Sequence, residues 1–486
     1  MSRITFISSL ESQLRGWLLG HPDGHERAAI VLFRKLDRLV RDLPESPRFL
    51  AVDFIKIPDD SVISSSPTHI DFNTRFLPEI YFRCENENLE LGFVHNHPSG
   101  YDHFSQKDDK NELTILRGLS GCNGLQAILV SMILVDDHWK ARLRKGTAPN
   151  EILPIRHIST LGEKLTVQGI TQENDLPQSL ARQEAAFGKP FNRILQSLRV
   201  AVVGVGGTGS PAATLLARAG IGELILIDGD TLDGTNMNRV RGYNADHVGK
   251  NKAESLLSFI TSLGLNVKVC AIPKYISEPE ALDALSTADV VFGCTDDQIG
   301  RNIMNQALYY YGQVLIDSGL TGFIDTDPSG MPYLRDHRGR VSCILPESGA
   351  CLKCQKVITE ERLRYEQAVK DRPELAKLDA ETLEKEYYLR GGGVQAPGVG
   401  PFTSATADNA VATLMDLIRQ FRKLPTDLRR DNIWIDFVHL YIHSNEPVDD
   451  SSCIYCRERK VVLKAEGKYR LEMPSLGKYE NIKPKD

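Results

Sequence analysis

The run Arg199–Val203 ends in Gly204-Val205-Gly206-Gly207-Thr208-Gly209, and no other stretch of the chain restricts its fold as much. Glycines at this spacing let a strand turn tightly into a helix, with backbone amides and the helix N-terminus facing a phosphate. A helix over about Ser210 to Ala219 and a second apolar strand over Leu224 to Ile227 complete a βαβ opening. Apolar runs at 267–272, 290–292 and 314–316 continue the pattern, which predicts a doubly wound, Rossmann-like sheet. Asp228, nineteen residues after Gly209 at the end of the second strand, is placed to hold a ribose. The same pattern would serve NAD in a dehydrogenase.

The residues that follow separate the two readings. Asp230, Asn236, Asn238, Arg239 and Lys252, then Asp296, Asp297, Arg301 and Asn302, are more phosphate and metal ligands than nicotinamide chemistry uses. Arg239 and Lys252 offer positive charge to a triphosphate, and Asp296 can hold a magnesium ion. In this arrangement the stretch resembles the ubiquitin-activating-type (ThiF/MoeB-like) adenylyltransferases, including those of molybdopterin and thiamine synthesis. The resemblance implies that Gly204, Gly206, Gly207, Gly209, Asp228, Asn236, Arg239, Lys252 and Asp296 bind ATP and Mg2+, and that a protein carboxylate is turned into an acyl-AMP. Arg182-Gln183 resembles the family's N-terminal Arg-Gln, whose arginine reaches into the ATP site of a second subunit, and so implies a homodimer. A solvated surface arginine is the other reading of Arg182.

A second signature lies about a hundred residues upstream. His95 and His97, two apart on an extended segment, point to the same side and can grip one metal ion, with Asp108 as third ligand. Ser105 and Asp108, three apart, are expected on one face of a helix. Zinc with three protein ligands keeps a fourth position for water. A pair of strand histidines without metal is the plainer alternative. His95-Asn96-His97-Pro98, with Ser105 and Asp108 eight and eleven residues after His97, resembles the JAMM metalloproteases, which process ubiquitin-like proteins. The string as far as Gly100 also resembles the RadC branch of the same fold. The resemblance implies a glutamate general base, for which Glu26, just before the apolar run Ala28 to Phe33, is expected and Glu11 is the rival. It also implies that Ser105 steadies the oxyanion.

Four of the nine cysteines form the pairs Cys351/Cys354 and Cys453/Cys456, the two-plus-two spacing of a structural zinc; free thiols or a redox pair are the alternatives. Many adenylyltransferases of the resembled family carry a thioester-forming cysteine in the crossover after the first pair, but no cysteine lies between Cys354 and Cys453. The glycine-rich segment 390–402 lacks one too. Cys343 is the leading remaining nucleophile and Cys294 the other.

With 486 residues, 41% hydrophobic and 25% charged, the chain is expected to hold more than one domain: a small α+β JAMM-type domain at 1–148, a linker at 149–177, and the adenylation domain with its structural zinc at 178–486, α/β overall. A net charge of −6 supplies no basic field for nucleic acid. The longest nearly apolar run, Leu125 to Val135, is about half of the roughly 20 residues a membrane span needs. No basic-then-apolar leader opens the chain, so a cytoplasmic enzyme is expected. The two signatures together predict a bifunctional enzyme that trims or removes a ubiquitin-like protein and adenylates its C-terminal carboxylate, passing it to a separate conjugating enzyme. Fusions of this kind resemble parts of prokaryotic conjugation systems, some associated with antiviral defence. The alternatives are activation of a sulfur-carrier protein for thiolation, and a tag-binding scaffold without turnover.

Overall fold

The computed structural model describes residues 1–171, 175–378, 382–383, 398–447 and 452–458. The first half holds strands β1 (Ser2–Ile7), β2 (Ala28–Leu36), β3 (Arg48–Lys56), β4 (Val62–Ser66), β5 (His69–Phe72), β6 (Glu90–His97), β7 (Ile128–Val135), β8 (His138–Lys145), β9 (Ala148–Leu161) and β10 (Leu165–Gln168). All but the β4–β5 hairpin form one sheet, in the order β1-β3-β2-β6-β7-β8-β9-β10. Strand β1 also pairs in parallel with β9, so the sheet closes on itself.

Strand alternation sorts the side chains of β2 into two cores. Val31 and Phe33 point inward to Ile4, Phe6, Phe49, Met132 and Trp139. Ile30 and Leu32 point outward, where the helices Leu77–Glu87 and Gln106–Asn123 cover them with Ile80, Tyr81, Leu116 and Leu119.

The second sheet runs β11 (Arg199–Val203), β12 (Glu223–Ile227), β13 (Lys268–Ile272), β14 (Val290–Gly293), β15 (Val314–Thr326), β16 (Pro332–Ile344), β17 (Ile433–Asp436) and β18 (Tyr441–His443) along the chain. Its spatial order is β13-β12-β11-β14-β15-β16-β17-β18. Strands β11 to β15 pair in parallel, and β16, β17 and β18 are added antiparallel. Helices pack on both faces: Pro279–Ser286 and Gln298–Tyr311 on one, and Gly209–Arg218, Lys252–Ser262 and Gly400–Arg419 on the other. This is a mixed α/β, Rossmann-like fold. The strand order reverses between β11 and β14, which opens a crevice at their C-terminal ends.

Two expectations need correction. Residues 148–168, expected as a boundary and linker, are β9 and β10 of the first sheet. The first half of β9 is mostly exposed and carries Pro149, Asn150 and Pro154, so it reads as a loop, while Ile155, Ile158 and Leu161 in its second half are buried beside β1. Nor are the two halves independent bodies. Leu36, Val40 and Leu50 share a core with Ala201, Leu285, Tyr311 and Leu315, and Leu161, Leu165 and Val167 share another with Phe191, Leu198 and Leu414. Arg48, fully buried, donates to the carbonyls of Tyr311 (2.6 Å) and Gly312 (2.9 Å) across the same boundary.

The charged stretch after Thr359 is helical over Glu360–Asp371, and residues 384–397, including most of the glycine-rich approach to the last helix, lie outside the described residues. Among the described residues, no helix is long and apolar enough to cross a membrane.

Candidate functional sites

The glycine loop leaves β11 into the crevice. A Cβ on Gly204 (φ +80°) would lie 2.9 Å from the Cys294 carbonyl and the Thr295 amide nitrogen, and one on Gly209 would collide with the Gly204 carbonyl. These two glycines let backbone meet backbone. Gly206 differs, because a Cβ there would meet nothing within 4 Å. Its open side is the space a phosphate needs.

Asp228, at the end of β12, is buried and accepts the Val205 amide on Oδ2 (2.8 Å) and the Asp230 amide on Oδ1 (2.9 Å). It therefore ties the glycine loop to the acidic loop, and burial raises its pKa. Tyr243 braces the same loop with its hydroxyl, which lies 2.8 Å from the Val205 carbonyl and 3.2 Å from that of Lys252. No sequence pattern pointed to Tyr243. Lys252 opens a helix whose N-cap is Asn251, and its Nζ pairs with Asp230 Oδ2 at 2.9 Å.

The stem of Arg239 lies against Gly207, 3.4 Å from where a Cβ would be. Its guanidinium turns back to the Thr235 carbonyl (2.7 Å) and Asn238 Oδ1 (3.1 Å), while Asn236 caps its own short turn by accepting the Asp233 amide. Asp296 follows β14 beside the glycine loop, and its exposed carboxylate makes no hydrogen bond or ion pair among the described residues. Arg301 holds its backbone carbonyl at 3.3 Å and lies 3.6 Å from the buried Asp317, which also pairs with Arg340. Arg182 is exposed, whereas Gln183 beside it is anchored to Asn192 Oδ1 (2.7 Å) and the Ala219 carbonyl (3.0 Å).

Neither candidate thiol suits nucleophilic work. Cys343 and Cys294 are buried in the apolar core under the sheet, and burial pushes both thiols up to about 12. This corrects the expectation for Cys343, because a nucleophile must reach substrate as a thiolate.

Cys351, Cys354, Cys453 and Cys456 bring their sulfurs within 4.8 Å of one another. Cys351 and Cys453 Sγ are 3.7 Å apart, and Cys354 and Cys456 Sγ are 3.5 Å apart. Tetrahedral zinc with Zn–S bonds of about 2.3 Å needs edges of about 3.8 Å, so the donor set fits that ion.

In the first half, His95, His97 and Asp108 are buried and their ligand atoms also lie within 4.8 Å of one another. His95 Nε2 is 3.0 Å from Asp108 Oδ1, His97 Nε2 is 3.4 Å from Asp108 Oδ2, and the two Nε2 atoms are 2.9 Å apart. His97 Nδ1 faces the Tyr101 carbonyl at 3.1 Å; donation there leaves Nε2 with its lone pair toward the cluster. His95 Nδ1 is buried without a partner among the described residues. Two imidazoles and a carboxylate converging this way fit a zinc ion with an open position.

Ser105 is not on the helix face. It is the N-cap: its Oγ accepts the Asp108 amide (3.1 Å) and its own amide donates to Asp108 Oδ2 (2.6 Å), a capping box. Glu26 precedes β2, whose Ala28 is paired with His95, and lies near enough to His97 and Asp108 for their charges to act on it. It is 5% exposed, and burial pushes its carboxyl up to about 7. The rival Glu11 is committed elsewhere, with Oε1 accepting from Trp139 Nε1 (2.8 Å) and from Arg15.

The glycine loop, the acidic turn and the crossing strand order define a nucleotide-type crevice in a Rossmann-like fold, and residues 180–438 match the ThiF family. The chain belongs to that family. It is 30% identical over 170 residues to the adenylyltransferase and sulfurtransferase UBA4 of Meyerozyma guilliermondii, covering 35% of this chain and 37% of that protein. It is 29% identical over 160 residues to the SAMP-activating enzyme E1 of Haloferax volcanii, covering 33% of this chain and 54% of that protein. The chain thus spans about a third to a half of the length of these curated relatives. Escherichia coli MccB crystallised with ATP aligns over 58% of this chain and 75% of its own, at 21% identity and a TM-score of 0.42.

Proposed function

We propose that the second half of the chain is an ATP-dependent adenylyltransferase that activates the C-terminal carboxylate of a small ubiquitin-like or sulfur-carrier protein. The observation that carries this reading is the glycine loop at the switch between β11 and β14, where Asp228 accepts the Val205 amide, Gly204 packs on Cys294 and Thr295, Gly206 faces open space and Arg239 lies against Gly207. The carboxylate oxygen attacks the α-phosphorus, the bond to the β-phosphate oxygen breaks, and pyrophosphate leaves. Arg239 and Lys252, held here by the Thr235 carbonyl and by Asp230, would turn to the charge of the phosphates, and Asp296 would hold Mg2+, which neutralises the charge that develops there. Exposed Arg182 beside anchored Gln183 suits an arginine handed to a second copy in a homodimer. Cys351, Cys354, Cys453 and Cys456 would hold a structural zinc closed to substrate.

Of the two fates for the acyl-adenylate, sulfur transfer to the carrier is the better supported. One relative is named as a sulfurtransferase as well as an adenylyltransferase, and Cys294 and Cys343 are buried thiols rather than thioester nucleophiles. In that step sulfide attacks the acyl carbon, the C–O bond to AMP breaks, AMP leaves, and a thiocarboxylate forms. Handover to a separate conjugating enzyme is the competing fate.

For residues 1–168 the proposal is a JAMM-type zinc peptidase that trims or releases the same carrier. His95, His97 and Asp108 would hold zinc, whose Lewis acidity at the open position would polarise the scissile group. Glu26, buried beside the cluster, takes a proton from the attacking water and returns it to the leaving amine. Ser105 keeps its hydroxyl proton to donate to the developing oxyanion, since only its oxygen is used in the cap. The test is carrier-dependent exchange of labelled pyrophosphate into ATP, followed by mass spectrometry of the carrier. Thiocarboxylate supports sulfur transfer, isopeptide adducts support conjugation, and no exchange with any small carrier rejects the adenylation reading.

A further inference from the structure

Asn96 sits between the two histidines, on the opposite face of β6 from them by strand alternation. The β2–β6 ladder ends at the backbone pair Ala28/His95. One residue further on, the Asn96 amide still donates to the Arg27 carbonyl at 3.3 Å, but the return bond is made by a side chain: the Arg27 amide donates to Asn96 Oδ1 at 2.7 Å. The side chain therefore stands in for the strand's own carbonyl and carries the pairing on to the residue next to Glu26. The Glu26 amide in turn donates to the Ser66 carbonyl at 2.8 Å, at the end of β4. Asn96 is 9% exposed, so this bond is shielded from competing water.

We infer that Asn96 is a positioning residue that fixes Glu26 over the His95/His97/Asp108 centre, and that it does so without touching the metal or the substrate. The inference rests on the peptidase reading of that centre. Its physical basis is the spacing: a histidine on each side of Asn96 faces the centre, so the residue between them is the nearest one able to reach across to the strand that carries the base. Asp shares the acceptor geometry, whereas Ala removes the acceptor and leaves the partly buried Arg27 amide without its strand partner.

The experiment uses the full chain with Asn96→Ala and Asn96→Asp. Three quantities are compared with wild type: zinc content, amide hydrogen exchange of the segment 23–30, and kcat and KM for cleavage of a carrier fusion. Asn96→Ala is expected to keep wild-type zinc, to speed exchange of the segment at least tenfold, and to lower kcat about tenfold or more with KM within twofold. Asn96→Asp is expected to restore exchange and kcat to within about threefold. Unchanged exchange and kcat in Asn96→Ala overturn the inference, and loss of zinc overturns it in favour of a metal-site role. If wild type cleaves no fusion, the peptidase reading falls. The exchange comparison then decides alone, with accelerated exchange upholding the pin on Glu26 and unchanged exchange overturning it.

Discussion

Arg3 Nη1 lies 2.7 Å from Asp289 Oδ2, and both side chains are sealed from solvent. Arg3 also donates from Nε to Ser46 Oγ (3.1 Å) and from Nη2 to the carbonyls of Ser46 (3.1 Å) and Thr287 (2.7 Å). Asp289 Oδ2 takes the Arg199 amide as well, at 2.8 Å. The start of the first sheet is thereby locked to the root of β14, the strand whose far end leads to Asp296. A buried pair of this kind contributes little net stability, but removing one partner strands the other charge.

Arg3→Leu should therefore destabilise the protein by roughly 3–5 kcal/mol. Because the two halves share cores, urea unfolding monitored by fluorescence and circular dichroism should show one transition for both halves. Two separated transitions in wild type would mean that the halves fold independently.

His157 lies 3.9 Å from Asp289 Oδ1 and is fully buried. Burial lowers its pKa to about 4, with Arg3 and Arg156 acting in the same direction and Asp289 and Glu223 opposing. An unfolded imidazole takes its proton near about 6.5, so between that value and 4 the unfolded chain binds the extra proton. Stability is thus lost as pH falls through this window, by about 1.5 kcal/mol between pH 6.5 and pH 5 from this residue alone. Urea titrations at the two pH values should show the loss in wild type and a smaller one in His157→Asn. An equal loss in both would assign the effect elsewhere.

Gly206→Ala and Gly209→Ala should part company. The first places a methyl group in open space and should leave the melting temperature unchanged while weakening ATP binding at least tenfold; the second forces the Gly204 carbonyl aside and should lower the melting temperature as well. Calorimetry of ATP binding alongside thermal melts reads both. Full ATP affinity in Gly206→Ala would place the phosphates on some other surface.

Asp296→Ala should cut pyrophosphate exchange by about two to three orders of magnitude with little change in stability, because its carboxylate has no structural partner among the described residues. Residual exchange close to wild type would move the magnesium ligand to another acid.

Glu26→Ala should keep wild-type zinc content and reduce cleavage of a carrier fusion by about two to four orders of magnitude. Cleavage at the wild-type rate would return the general base to the list of unknowns.

Much of the adenylation fold was legible because its strands are apolar runs and its loop carries glycines whose reason is steric contact with Cys294 and Gly204 itself. The antiparallel extension β16–β18 was not, since strands such as Pro332–Ile344 carry Arg335, Asp336, Arg338 and Arg340 among their apolar residues and are paired by contacts distant in sequence. Strand β9 is hidden for a related reason: Arg156, paired with Glu223, and His157 are polar residues buried in it, which masks the alternation. In the His95/His97/Asp108 cluster, the spacing of two puts both histidines on one side of β6, as strand alternation requires, but a spacing of three gave the wrong geometry for Ser105. Three residues separate partners in a capping box as well as neighbours on a helix face, and nothing in the spacing tells the two apart.

That capping box limits what Asp108 can give. Oδ2 is already held by the Ser105 amide at 2.6 Å, while Oδ1 is the oxygen close to His95. A carboxylate restrained in this way donates through one oxygen rather than two. On the peptidase reading the cluster would therefore suit a small ion with few ligands, and larger ions that ask for six to eight oxygens would find it undersupplied.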